Sequence, residues 1–329
     1  MKRRLILLLK LSVSAGILYW IFTFVSLAEI WAALVDAHAG LFFASTVVAL
    51  AANGVAALRM RQLTACQGMS VTAPRIFSIN LISSFYGMFL PGSLAGGAIR
   101  WRKLYLEDRN AAGAFVAMVL NRFMLTTMTI AVGAVYWLMA GQRETEPIVG
   151  LVFLGLLAGM LLLQGVFMFG FAPPGVAARP AADAGQRRRL GDRMKSVFGA
   201  LSRYRELPPA ALACAVGLAL LEELLGLAAW VLMAVATGIA VPLLTLGWVR
   251  SFILLIALVP VSFFGIGVQE GTLIALLAGY GVSGAAAVAF SFLLVARTVL
   301  ISLLGGVLEA RDVFLPARNA VAGGVGGSS

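Results

Sequence analysis

Two apolar stretches of this chain break where a helix inside a bilayer should not. The first, residues 80–103, reads NLISSFYGMFLPGSLAGGAIRWRK. It is apolar to Leu90, meets Pro91-Gly92 and Gly96-Gly97, and turns basic at Arg100, Arg102 and Lys103. Proline removes a backbone donor and clashes with the preceding turn, and glycine weakens a helix interior. In lipid every backbone polar group must be satisfied internally, so such a break is tolerated only where protein or water lines a cavity. The second break, PVSFFGIGVQEG from Pro260, interrupts the apolar run 243–280 in the same way. Both stretches therefore have to fold against other helices.

The surroundings supply those helices. Hydrophobic residues make up 61% of the 329 positions and charged residues only 12%, a balance that excludes a soluble domain and points to an all-α polytopic membrane protein. Apolar segments long enough to span occur at residues 5–25, 40–58, 112–140, 149–171, 208–235 and 283–308. The amino-terminal one follows Lys2, Arg3 and Arg4 like a signal peptide. Its length and the lack of a small-x-small cleavage site predict a retained span. Residues 76–90 are too few to cross a core of about 30 Å at about 1.5 Å per residue. Basic residues flank them on both sides, which predicts a re-entrant hairpin. The expected fold is thus about six spans with two re-entrant hairpins.

Basic residues in short loops set orientation. With the amino terminus in the cytoplasm, Arg59 to Arg75, Arg100 to Arg109, the polar segment 173–207 and the carboxyl terminus all fall inside, leaving Arg143 and Arg250 outside. The net charge of +11 then reflects topology rather than nucleic-acid binding. Within the polar segment, Leu190, Met194, Val197, Phe198 and Leu201 recur at helical spacing among arginines. This is an amphipathic basic helix suited to an anionic membrane surface, or a solvated linker. The domain expectation is one membrane domain over 1–310, with repeat one at 40–172, the linker at 173–207 and repeat two at 208–310. A disordered cytoplasmic tail is expected at 311–329.

The two breaks also match each other. Pro91, Ser93 and Gly96 stand 169 positions before Pro260, Ser262 and Gly265, and each hairpin precedes a span holding an arginine, Arg122 or Arg297. In the expected topology the hairpins enter from opposite sides. That makes an inverted repeat, the arrangement with which transporters build a midplane site.

Ionisable residues inside a membrane are costly and tend to be paired or functional. Arg122, Glu222, Glu223 and Arg297 all fall near midspan. They either neutralise one another in a structural network or line a polar cavity, where arginines suit an anionic headgroup through bidentate hydrogen bonds and a glutamate could carry a proton. Each half-helix after a break presents free N–H groups and a positive dipole end. Ser93, Gly96, Gly97, Ser262, Gly265, Gly267, Gln269 and Glu270 lie at those ends, Glu270 also being placed to cap its helix, while Arg100, about 10 Å along its half-helix from Ser93, either joins the site or snorkels to the cytoplasmic headgroups.

Several chemistries lack machinery. His38 is the single histidine, Cys66 and Cys214 form no CxxC, and no HExxH, aspartate-rich or GxxxxGK[ST] motif occurs. No catalytic residue, metal or cofactor is expected, and the chain is read as a non-enzyme.

The segments PGSLAGGAIRWRKL and PVSFFGIGVQEGTLIALLAGYG, followed by ARTVLISLLGGVLE, resemble the flippase-like membrane domain of lysylphosphatidylglycerol synthases over nearly the whole chain. The resemblance implies a lipid translocator. It carries over to Pro91, Ser93, Gly96, Gly97 and Arg100 in one hairpin and to Pro260, Ser262, Gly265, Gly267 and Glu270 in the other, with Arg297 beyond. The bifunctional relatives add a soluble aminoacyltransferase domain, for which this chain has no room, so lysyl-lipid synthesis is not implied. The expected function is movement of a phospholipid, or another lipid with an anionic or zwitterionic headgroup, across a prokaryotic cytoplasmic membrane. Alternatives are an accessory protein docking a lipid-synthesis enzyme and an intramembrane lipid transferase. Expected partners are membrane lipids, such an enzyme and a second copy of the chain, with no nucleic acid.

Overall fold

The computed structural model describes residues 27–89, 95–141, 147–167, 190–257 and 268–314. The expected first span, the hairpin breaks at Pro91, Ser93, Pro260, Ser262, Gly265 and Gly267, residues 173–189 and the Gly/Ser tail lie outside them. Every described element is a helix. In chain order these are α1 (Leu27–Val35), α2 (Ala39–Ala65), α3 (Ala73–Phe89), α4 (Ala95–Asp108), α5 (Ala111–Met139) and α6 (Pro147–Gly165). There follow α7 (Leu190–Arg205), α8 (Pro209–Ala236), α9 (Leu243–Ile256), α10 (Val268–Ala278) and α11 (Gly284–Phe314). Five of them, α2, α5, α6, α8 and α11, are long and apolar enough to cross a bilayer, and they coincide with five of the expected spans. Two run further than expected. The helix expected to stop at Leu58 continues to Ala65, and the last one extends to Phe314. In both cases the added turns carry charges that find partners, so a charge there does not end the helix.

The way α2 and α8 end fixes the rest of the fold. Gly68 and Gly238, 170 positions apart, both sit at positive φ, 72° and 70°. Around the first, Gly68 N–H donates to Ala65 O and Met69 N–H to Thr64 O. Around the second, Gly238 N–H donates to Val235 O and Ile239 N–H to Ala234 O. This is the glycine-terminated helix stop in which the next residue closes a six-to-one bond and tucks an apolar side chain under the helix. Met69 and Ile239 are accordingly buried. Every partner in one turn has its counterpart 170 positions later.

The packing follows the same correspondence. Helix α2 lies along α8, α3 packs on α11, and α9 packs on α5. Each short helix also contacts its neighbours in sequence, α3 with α4 and α9 with α10. Two glycines permit the closest approaches. A Cβ on Gly305 would run into the backbone of Leu81, and one on Gly133 would strike Ser251 and Phe153; Leu81 and Ser251 are again 170 positions apart. Helices α3 and α4 run antiparallel. Arg75 reaches Glu107 at one end (2.8 Å), and Gly96 lies over Gly87 and the Ser83 carbonyl at the other.

Helix α7 has a different role from the one expected of an interfacial amphipathic helix. Its apolar residues Ala200, Leu201 and Tyr204 are buried with Leu63, Met69 and Ala114. The Tyr204 hydroxyl donates to Leu63 O (2.7 Å) and Gln67 Nε2 to Ala200 O (2.8 Å). Val197 and Leu201, two of the five residues expected to face a membrane surface, are therefore packed against protein, and α7 is fastened to the end of α2. His38, the single histidine, caps α2: its Nδ1 accepts from Leu41 N–H.

Candidate functional site

Along α5, one apolar cluster ends at Leu120 and the next begins at Ile130. Polar side chains from α2, α8 and α9 meet α5 between them. On α2, Arg59 is fully buried, forms an ion pair with Glu222 of α8 at 2.9 Å, and donates through Nε to Asn121 Oδ1 of α5 at 2.9 Å. One position on, Glu223 is 3% exposed and accepts from Arg250 Nη1 of α9 at 2.6 Å. It also accepts from the Thr129 hydroxyl of α5. Gly226, one turn further along α8, gives the Arg250 guanidinium its space, since a Cβ there would collide with it. Adjacent glutamates point about 100° apart on a helix of 3.6 residues per turn, which is why Glu222 and Glu223 engage different helices.

Of the sequence candidates, Glu222, Glu223, Arg100 and Arg122 gather in this layer, and Arg297 borders it. Arg297 of α11 donates to Ser45 Oγ (2.9 Å), whose hydroxyl donates to Ala229 O (2.7 Å). Arg100 of α4 lies within electrostatic reach of both Glu222 and Arg122, and its buried Nε has no hydrogen-bond partner. Arg122 is exposed on the protein surface and, among the described residues, makes no ion pair.

Other candidates make different contacts. Glu270 is 2% exposed and accepts from Ser291 Oγ at 2.8 Å, joining α10 to α11; Gln269 is half-buried beside it. Gly96 serves the α3–α4 contact, while Gly97 faces open space.

Sequence reasoning missed Arg59 and Arg250, the partners of the two glutamates. Arg59 was expected in a cytoplasmic loop and Arg250 outside the membrane, yet both are buried on helices. The signal for Arg250 was present. It stands in the run LLTLGWVRSFILLI, where an arginine meets the same criterion that selected Arg122 and Arg297.

Among the described residues five arginines and two glutamates thus meet in or beside the layer: Arg59, Arg100 and Arg250 act on the glutamates, with Arg122 near Arg100 and Arg297 near Arg250. Arg59 Nη1 and Arg250 Nε are buried without a hydrogen-bond partner, so even the paired guanidiniums keep donors to spare. Among the described residues no three His, Cys, Asp or Glu side chains gather as metal ligands. A second cluster lies at one end of the bundle, where Arg75 bridges Glu107 (2.8 Å) and Asp312 (2.5 Å). Beside it Glu309 takes Lys103 and the Tyr86 hydroxyl. This cluster joins α3, α4 and α11.

Such a bundle, with long apolar helices around a buried layer of arginine and glutamate, defines a multi-pass helical membrane protein. Residues 7–306 match the family described as the lysylphosphatidylglycerol synthase TM region, and the chain belongs to that family. Comparison with curated proteins gives no match.

Proposed function

We propose that this protein is a lipid flippase of a prokaryotic cytoplasmic membrane, moving lipids with anionic or zwitterionic headgroups and performing no covalent chemistry on them. The observation that carries the proposal is the excess of arginine over glutamate among the described residues of the charged layer. Uncompensated positive charge among membrane spans is costly, and a bound anionic group offsets it. A purely structural network would favour equal numbers of each sign.

The matching turns and matching neighbours of the two halves support an inverted repeat. If α3 and α4 enter and leave by the cytoplasmic face, the spans between α2 and α8 are α5 and α6. Helices α2 and α8 then cross in opposite directions, with α9 and α10 entering from outside and both termini in the cytoplasm. Inverted halves around a midplane site provide alternating access by rocking one half against the other. Family membership supports the lipid as cargo.

The test is leaflet exchange in liposomes carrying short-chain labelled lipids. The wild type is expected to accelerate exchange of phospholipid, and Arg122→Ala and Glu223→Ala to slow it by at least about tenfold. Exchange no faster than in protein-free liposomes, for every headgroup tried, overturns the proposal.

A further inference from the structure

The arginines of the charged layer are not equivalent. Arg59 and Arg250 each hold a glutamate, and Arg297 is held by Ser45. Arg100 and Arg122 make no hydrogen bond or ion pair among the described residues, their helices α4 and α5 pack on each other, and the charge of Arg122 bears on Arg100. Their positions in the chain explain the meeting. Both flank the α4–α5 turn at Asn110, Arg100 ten positions before it and Arg122 twelve after. At about 1.5 Å per residue the two helices carry them about 15 and 18 Å from that turn, within one helical turn of the same level. The carboxylate that acts on Arg100, Glu222, is already engaged by Arg59.

Two like charges brought together in this way repel unless an anion lies between them. A phosphate group suits such a pair, because its oxygens are directed tetrahedrally and take guanidinium forks arriving from two helices. The site is also reachable, since Arg122 is exposed and Arg100 only half-buried.

We propose that Arg100 and Arg122 form a two-arginine clamp for a phosphate group, the phosphodiester of a lipid headgroup being its occupant. The clamp rests on the headgroup reading of the charged layer and assigns the part of the headgroup it holds. It also separates the arginines by role. Arg59 and Arg250 hold the helices together, whereas Arg100 and Arg122 are kept without acidic partners for the ligand.

The experiment uses the full chain in detergent micelles, with thermal unfolding and binding as readouts. The probes are dihexanoyl phosphatidylglycerol, a phosphate-free diacylglycerol glucoside of the same chain length, and inorganic phosphate. The wild type is expected to bind the phosphatidylglycerol saturably and to be stabilised by it. Arg100→Gln and Arg122→Gln are each expected to weaken that binding by at least about tenfold, with Arg122→Lys intermediate and Arg61→Gln, an exposed arginine on α2, unchanged. Without ligand, both glutamine variants should unfold at the same temperature as wild type or higher, because a repulsion has been removed. A lower unfolding temperature for both would mean that the arginines are structural, and would overturn the proposal even if neither variant yielded binding data. Equal binding of phosphatidylglycerol by wild type and both variants would also overturn it, as would equal binding of the phosphate-free glucoside. Inorganic phosphate that competes with the lipid supports the clamp. If it binds as tightly as the lipid, the clamp stands with a free anion as occupant. Binding that obeys these expectations in a protein showing no leaflet exchange would sink the flippase reading and leave the clamp intact.

Discussion

The two halves of this molecule share a backbone plan and differ in what it carries. The turns at Gly68 and Gly238 fix a register of 170 residues for the helices on either side of them, and in that register Glu223 corresponds to Asn53 and Arg250 to Asn80. In the second half the pair is an ion pair at 2.6 Å. In the first half both positions are neutral amides. Asn53 donates to Ala49 O of its own helix (3.0 Å), and the Asn80 side-chain carbonyl is buried without a partner. The scaffold therefore requires charged groups at neither place. The backbone plan thus accommodates an amide or an ion pair at these positions, and the charged pair belongs to the second half alone.

The largest expected effect tests that one-sidedness. Glu223→Ala leaves Arg250 buried and unpaired and should cost about 3–5 kcal/mol of stability. Asn53→Ala, at the matching position, should cost less than about 1 kcal/mol, since its one hydrogen bond stays within its own helix. Denaturant titration of the folded protein in micelles measures both. Replacing the pair together, Glu223→Gln with Arg250→Met, should recover most of the loss while leaving leaflet exchange impaired. Similar losses for Glu223→Ala and Asn53→Ala would mean that the ion pair is not what distinguishes the halves.

A second contrast concerns the paired close approaches. Gly305→Val places its side chain against the backbone of Leu81, which cannot rotate away, whereas Gly133→Val meets the side chains of Ser251 and Phe153. Overpacking costs about 1–3 kcal/mol. Gly305→Val should fall at the upper end and Gly133→Val at the lower, with the folded fraction after purification as the measurement. The reverse order would show that the α5–α9 contact is the less forgiving of the two.

Much of the architecture was legible in the sequence because lipid imposes it. An apolar run of span length has few alternatives, and five of the expected spans coincide with long apolar helices. The charged layer was legible in part. Arg122, Glu222, Glu223 and Arg297 stood out because they interrupt apolar runs. Arg59 did not, because a charge near the end of a run reads as the start of a loop. Only the fold supplies the buried partner that lets α2 continue past it. The proline-serine-glycine match across the two breaks pointed to related halves at a spacing of 169, but the breaks lie outside the described residues and the turns stand 170 apart. The turns at Gly68 and Gly238, which fix the register, offered only single glycines in loops whose positive φ no composition reveals. For α7, periodicity identified an apolar face correctly but could not say whether lipid or protein covers it.

The smallest effect separates the charged layer from the cluster at the end of the bundle. There Arg75, Lys103 and Arg311 balance Glu107, Glu309 and Asp312, and Arg75 and Glu107 remain about one-third exposed. Pairs of this kind are screened by water and salt and are worth about 1 kcal/mol or less. Arg75→Ala should therefore lower stability by no more than about that amount, and the difference from wild type should shrink further as salt is raised, since the screening length falls to about 3 Å at 1 M. Loss of Glu223 should depend little on salt, because ions do not reach a side chain enclosed by α5, α8 and α9. Urea titrations of both variants at low and high salt read the two behaviours side by side. A salt-insensitive loss at Arg75 would mean that the α3–α4–α11 cluster is shielded as thoroughly as the layer at Glu223, and that the contrast between a balanced edge and an arginine-rich interior is one of composition and not of environment.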